Sequence, residues 1–395
     1  MRLTKAEMLH CNAGWRDFSF LRLHTDTGSS GIAEYNECYG SFGLSGVIAR
    51  LARGIEGEDA LLHEQISQKL YAQTRQAPGG INAQAIAAIE NALLDIKGKA
   101  LGVPVHALLG GQIRDTLELY WSHCGTYLLD SEIAAAIGRE PIKSLEDVER
   151  LGAEVAERGF RGLKTNIFLL DEVPRLHMPG FGRSTGWSEL NATPAVVNAL
   201  RAQLEAFRRG AGAEMGIHLD LNFNFKPEGY LQVMRALDDL NLTWFEIDLY
   251  DAPALARLRA AVRTPIASCE SLFGLRGFKP FFEANSMDVA IVDVPWNGIW
   301  TSLKIAAVAE AFELNVAPHN FYGHLSTLMS AHLCAAVPNF RVMEIDIDDV
   351  PWKDDIITWT PQIKDGHLAV PQAPGWGAEL NDDVIRAHPP KRIKP

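Results

Sequence analysis

The sequence predicts an α/β protein, an α+β unit followed by a TIM-type barrel of parallel strands, and three observations predict it. After Gly110-Gly111, short β-rich runs alternate with amphipathic helical segments, the rhythm of parallel strands joined by crossover helices. Eight such runs fill roughly 230 residues between Leu117 and Ile347, which suits a closed barrel better than an open sheet. Acidic residues recur at one phase where these runs end, and no glycine-rich dinucleotide loop supports the open alternative.

Taken in order, residues 1–60 read as strands and turns. Phe20, Leu21, Leu23 and Ile32 lie in two runs around Thr27-Gly28-Ser29-Ser30-Gly31, the pattern of a hairpin. From Leu44 to Leu101 the pattern turns helical, with Ile86, Ile89, Leu93, Leu94, Ile96 and Ala100 mostly three or four residues apart. Gly102 and Pro104 stop that helix. The eight β-rich runs are 117–125, 162–169, 216–224, 242–249, 265–271, 288–294, 315–320 and 340–347. Helical stretches 146–159, 195–210 and 303–314 lie between them. One connection, 169–196, is unusually long and mixes Pro, Gly, Trp and Phe, which suggests an ordered flap. The tail from Pro371 leaves the barrel pattern and ends in a basic stub expected to be mobile.

A chain of 395 residues is comfortable for two domains, and 47% hydrophobic with 22% charged residues describes a folded protein. The net charge of −12 leaves no basic footprint for nucleic acid or an anionic membrane. It does not exclude an acidic substrate, because a bound metal reverses the local field. Five scattered cysteines without a CxxC pair point to a reducing compartment rather than a disulfide framework. No apolar run near the start resembles a signal peptide, and none reaches the length of a membrane span. A cytoplasmic protein is therefore expected, and the sequons at Asn191 and Asn241 are taken as chance.

The third, fourth and fifth strands close on Asp220, Glu246 and Glu270, spaced 26 and 24 residues apart. In a barrel that spacing sets three carboxylates side by side at the C-terminal rim, where active sites form. Any one of them alone reads best as a helix cap or a surface ion pair. Three together repel, and hard oxygen donors with room left for water and substrate suit Mg²⁺. The phase continues through Asp293, His319 and Glu344, with Lys164 on the second strand. His319 beside Asp293 makes a dyad in which the carboxylate fixes the imidazole tautomer. Asp293 keeps phase only if 292–295 holds a local irregularity. A lone His is more often a core residue, but its place in the ring favours catalysis.

Motifs along the chain extend this. Ala92-Leu93-Leu94-Asp95-Ile96-Lys97-Gly98-Lys99 leads into Gly102-Val103-Pro104-Val105 and Leu109-Gly110-Gly111, and Pro374-Gly375-Trp376-Gly377-Ala378-Glu379-Leu380 stands near the end. Ala317-Pro318-His319-Asn320 surrounds the histidine. In order and spacing the chain resembles the enolase superfamily, in detail its mandelate racemase subgroup, over nearly its whole length. The resemblance implies a modified (β/α)7β barrel at 116–355, capped by an α+β domain made of residues 1–115 and a returning segment, 356–395. It implies that Asp220, Glu246 and Glu270 bind Mg²⁺, which chelates a substrate carboxylate. Lys164 and the metal would then stabilise the enediolate left when the α-proton departs. Glu344, if protonated, would donate to the other carboxylate oxygen. Residues near Trp15-Arg16 and Tyr39–Phe42 would cover the site and select the substrate. A homo-oligomer, its subunits helping to order each other's caps, is implied as well.

The chain departs from the subgroup at two positions. Where racemases carry Lys-x-Lys on the second strand it has Lys164-Thr165-Asn166, and where some dehydratases carry a His after the first metal ligand it has Asn222. Neither amide is a base, though both bind hydroxyls. His319 is then the one convincing base, which suits syn dehydration of a polyhydroxy acid to a 2-keto-3-deoxy acid. Lys164 becomes a second base only if burial lowers its pKa. His123 and His177 are further candidates, for a second base or for substrate contact, although a structural or exposed role is the simpler expectation for each. Epimerisation, racemisation or cycloisomerisation of a related acid or lactone is the runner-up. An acid-binding barrel without turnover is the alternative of another class, supported only by the missing bases.

Overall fold

The computed structural model describes residues 1–181 and 192–391. All eight β-rich runs contain a strand, and each strand is shorter than its run. In order they are β4 (Thr116–Ser122), β5 (Gly162–Thr165), β6 (Gly216–Asp220), β7 (Trp244–Glu246), β8 (Ile266–Ser268), β9 (Val289–Asp293), β10 (Asn315–His319) and β11 (Met343–Asp346). An antiparallel sheet of β1 (Leu3–Ala13), β2 (Arg16–Thr25) and β3 (Ser30–Tyr35) precedes them in the chain. The last two form the expected hairpin.

Successive barrel strands pair in parallel from β4 to β10. β11 closes on β4 with Glu344 opposite Tyr120. Between β10 and β11 the seam is a single bridge, Val316 to Phe340, with Val316 N donating to Asn339 O at 2.8 Å and Arg341 N to Val316 O at 2.9 Å. A crossover helix follows each of the first seven strands: Leu145–Glu157, Pro194–Ala211, Pro227–Leu237, Ala252–Arg259, Gly274–Glu283, Ile299–Ala311 and His324–Ala336. That is a (β/α)7β barrel. Its interior is packed: Tyr120, Trp244, Ala267, Val289, Ile291, Ala317 and Val342 form a buried cluster of their own beneath the rim.

In the first part, α1 (Leu44–Arg53) and α2 (His63–Thr74) flank α3 (Gly80–Leu101). The three- and four-residue spacing predicts one apolar face for α3. The structure buries it nearly all round, Glu90, Asn91 and Asp95 included, because it is wedged between the small sheet and the barrel. Those polar groups have partners across the wedge. Asn91 Oδ1 accepts from Ile299 N at 2.8 Å and Glu90 from Trp300 N at 3.0 Å, which satisfies free donors at the start of the crossover helix Ile299–Ala311. Glu34 of β3 does the same for His324–Ala336, accepting from Gly323 N at 2.6 Å and Ser326 N at 2.9 Å.

From Gly375 onward the tail lies against α3 and the N-terminal sheet. Trp376, fully buried, donates from Nε1 to Ile32 O at 2.7 Å and from its backbone to Asp95 Oδ1 at 2.9 Å. Gly98 permits this passage, since a Cβ there would meet Gly375 Cα at 2.9 Å. Earlier in the segment the chain stays with the barrel. His367–Ala369 pairs antiparallel with the start of β4, His367 opposite Glu118. Lys391 is tied by its N–H to Asp17 Oδ1 at 3.1 Å, so the stub is anchored to that point. In the long connection, Phe168–Leu169 pairs with Arg175–Leu176, and Gly180 N donates to Asn224 Oδ1 at 3.1 Å. The rest of the flap, with Asn191, falls in 182–191, outside the described residues. Among the described residues no helix is long and apolar enough to cross a membrane.

Candidate active site

Parallel pairing sets the expected acids beside one another. Asp220 ends β6 directly opposite Glu246, which ends β7. Glu270 lies two residues beyond β8, past a Cys269 held at φ +92°, a conformation L-residues seldom adopt. Lys164 reaches the same space from β5. Its Nζ lies 2.8 Å from Glu246 Oε1, 2.7 Å from Glu344 Oε1 and 4.0 Å from Asp220 Oδ2. Trp244 Nε1 holds the other oxygen of Glu246 at 3.0 Å. Asp248, which the one-acid-per-strand phase does not single out, joins the group. It is buried, Ser271 Oγ donates to its Oδ1 at 3.1 Å, and its Oδ2 has no hydrogen-bond partner.

Among the described residues, no three His, Cys, Asp or Glu side chains are gathered as they stand so as to hold a metal ion. Lys164 sits where positive charge is needed and draws Glu246 and Glu344 to itself. The donor set still fits a hard divalent cation. Three buried carboxylates, Asp220, Glu246 and Asp248, and the partly buried Glu270 stand together with the ammonium of Lys164 against the first two, and one Asp248 oxygen is unpartnered. Their mutual repulsion shows in their acidities. Burial, then the charges of Asp220 and Glu270, push Glu246 up to about 8 in spite of Lys164. Burial and Glu270 likewise raise Asp220, and burial with Glu270, Asp220 and Glu246 raises Asp248 well above the usual range.

Two expectations change here. Burial favours a protonated Glu344, but Lys164 and then His319 outweigh it and hold the carboxyl at about 2. Both Glu344 oxygens accept, one from Lys164 and the Ser122 hydroxyl, the other from Asn320 N at 2.7 Å. It is an anion, not the protonated donor expected. Burial would also lower the pKa of Lys164, yet Glu246 and Glu344 raise it well above its ordinary value. The lowered pKa that a second base would need is therefore not found at Lys164.

The dyad forms. Asp293 and His319 are directly paired across β9 and β10, with Nδ1 2.6 Å from Asp293 Oδ2. No irregularity is needed to bring Asp293 into line: the pairing runs unbroken from Val289 opposite Asn315 to Asp293 opposite His319, and a short helix, Val294–Asn297, starts at once after the strand. Asp293 is its N-cap, with Oδ1 accepting from Trp296 N at 2.7 Å. Tyr322, not singled out by sequence phase, donates to Asp293 Oδ2 at 2.6 Å. His319 Nε2 faces Glu270 Oε2 at 3.6 Å. Burial disfavours the imidazolium, but Glu270 and the Asp293 hydrogen bond raise its pKa to about 10.

Around this core, Asn166 and Asn222 sit together at the ends of β5 and β6. Asn166 Nδ2 donates to Asn222 Oδ1 at 3.1 Å, and Thr126 Oγ1 to Asn166 Oδ1 at 2.8 Å. The Phe321 ring links the site to the cap, 5.1 Å from His319 and 5.9 Å from both His123 and Tyr39. Trp15 lies on Tyr127 at 4.4 Å, and Phe42 is exposed. Arg16 is not free to select substrate. Its guanidinium is buried against Asp349 at 2.6 Å and Asp346 at 3.4 Å and donates to Phe321 O, fastening cap to barrel instead. His123 Nδ1 is 2.9 Å from Asp346 Oδ1, at the rim. The structure brings His177 against Phe225, 6.4 Å between rings, rather than to the acids.

Comparison with known proteins identifies the family. The profile of the mandelate racemase/muconate lactonizing enzyme N-terminal domain matches residues 8–110, and that of the enolase C-terminal-like domain matches 146–384. A Burkholderia xenovorans protein, provisionally named an L-alanine-DL-glutamate epimerase and solved with magnesium and fumarate, is 48% identical, with a TM-score of 0.96 over 99% of this chain and 96% of that one. The D-xylonate dehydratase of Haloferax volcanii is 26% identical over 93% of this chain and 84% of its own length. The D-gluconate dehydratase of Thermoproteus tenax is 28% identical over 95% of this chain and 71% of its own. The chain belongs to the mandelate racemase/muconate lactonizing enzyme family of the enolase superfamily.

Proposed function

We propose that this chain is a Mg²⁺-dependent sugar-acid dehydratase that converts a β-hydroxy acid into a 2-keto-3-deoxy acid. One observation carries it: a single oriented imidazole, His319 on Asp293, stands at the site, while the positions able to supply an opposed base hold Asn166 and a Lys164 whose amine is bound between Glu246 and Glu344. Asp220, Glu246 and Glu270 would hold the cation, whose charge, when bound, makes a proton next to a carboxylate acidic. With a cation neutralising Glu270, the charge that most favours the imidazolium would be removed, so His319 Nε2 is free to take the α-proton while Asp293 steadies the imidazolium. The same imidazolium then gives its proton to the β-hydroxyl leaving from that face, so one residue serves as base and acid. Lys164 contributes fixed positive charge toward the carboxylate, and the Asn166–Asn222 pair offers amide groups to substrate hydroxyls. The dehydratase names of the Haloferax and Thermoproteus relatives support a sugar acid as substrate class.

The test is a screen of mono- and diacid sugars with Mg²⁺, read for 2-keto acid. His319→Asn is expected to lower turnover by roughly 10²-fold or more with Mg²⁺ affinity unchanged. Full activity in that variant removes His319 from the mechanism. The Burkholderia relative's name favours a second reading, epimerisation. Solvent deuterium entering unreacted substrate with no keto acid formed would select it.

A further inference from the structure

We propose that Asp248 is a fourth carboxylate of the divalent-cation site, bound to the cation directly or through one water, and that it sets how tightly the cation is held. This rests on the metal site proposed above. The backbone places the side chain. Beyond Glu246 the chain stays extended and paired, with Ile247 N donating to Ala267 O at 3.1 Å and Asp248 N to Asn222 O at 3.3 Å. Residues two apart on extended chain project to the same side. Asp248 therefore stands on the side of Glu246, one step nearer the barrel mouth, and Ile247 between them is buried on the other side.

Its surroundings ask for a cation. The residue is 3% exposed, and Ser271 Oγ fixes one oxygen while the other has no hydrogen-bond partner. A buried carboxylate oxygen left without a donor is unfavourable. The groups whose charges it feels most are Glu270, Asp220 and Glu246, the three acids already assigned to the cation, and the ammonium of Lys164 is engaged by Glu246 and Glu344. Affinity for hard divalent ions rises with the number of charged oxygens offered. The competing account is a neutral Asp248 that hands a hydrogen bond to Glu270. An amide would reproduce that donor.

Asp248→Asn separates the two. Titration calorimetry of the full-length protein with Mg²⁺ alone is expected to show a Kd raised about 10- to 100-fold at unchanged stoichiometry, and less stabilisation against heat by added Mg²⁺. Ser271→Ala, which only unfastens the carboxylate, is expected to give a smaller loss of a few-fold. Melting in EDTA equal to wild type shows that the fold is intact. Wild-type affinity in Asp248→Asn overturns the proposal, while loss of Mg²⁺ binding in Glu246→Gln alongside it keeps the three-acid site. If the wild-type protein takes up no Mg²⁺ at all, the metal site itself fails, and this inference with it.

Discussion

Asp293 takes three donors: Trp296 N on Oδ1 at 2.7 Å, with His319 Nδ1 and Tyr322 Oη on Oδ2, both at 2.6 Å. With Nδ1–H committed, the imidazole can present only Nε2 to the site, the nitrogen a base needs. Asp293→Asn would set an amide N–H against that ring and favour the wrong tautomer. The expected outcome is a fall in kcat of roughly 10²- to 10⁴-fold with KM little moved, measured by steady-state kinetics on the acid found in the screen. An equal rise in KM without loss of kcat would assign Asp293 to binding. At this scale the phase of acids along the strands made Asp220, Glu246, His319 and Lys164 legible. It passed over Asp248 and Tyr322, because each lies two or three residues beyond a residue already counted, in chain that a one-per-strand rhythm ignores. Nor could it give the charge state of Glu344, which depends on a lysine 180 residues away in sequence and 2.7 Å away in space.

Two crossover helices begin on cap carboxylates, Glu90 at Ile299–Ala311 and Glu34 at His324–Ala336, and these helices follow the strands that carry Asp293 and His319. Both carboxyls are fully buried, and burial pushes each up to about 7 despite the backbone donors. A folded pKa above the unfolded value means that the native state holds the proton longer. Stability from these groups is therefore complete below about 4.5 and declines as pH rises through about 7. Glu34→Gln cannot titrate. Its melting temperature is expected to fall less between pH 5 and pH 8 than that of wild type, by calorimetry in EDTA; parallel curves would mean that the carboxyl is ionised throughout. Strand positions and the hairpin were legible from periodicity, but these caps were not. A buried Glu in the helix 80–101 looks like a polar-face residue until the barrel is set against it.

The whole molecule is held by both ends of its chain. The N-terminal part supplies β1–β3 and α1–α3, and the tail runs beneath the barrel at His367–Ala369 before it reaches the cap at Trp376 and again at His388, whose carbonyl accepts from Asn12 N at 2.8 Å. Sequence motifs place Trp376 near a cap signature. Its contacts, Ile32 O and Asp95, lie 344 and 281 positions back, beyond any local pattern. Fully buried, Trp376 stands at the meeting of cap sheet, α3 and tail, hydrogen-bonded to the first two. Trp376→Ala opens a cavity there and strands the Ile32 carbonyl, so a loss of roughly 3–5 kcal/mol is expected. Because Arg16 and the carboxylates of β3 and α3 fasten the same cap to the catalytic end of the barrel, the damage should not stay local. Urea unfolding followed by near-UV circular dichroism is expected to show the cap released before the barrel, where the wild-type protein unfolds in one step. A variant that still unfolds in a single transition with under about 1 kcal/mol lost would mean that the cap is held by its barrel contacts alone, with the tail a passenger.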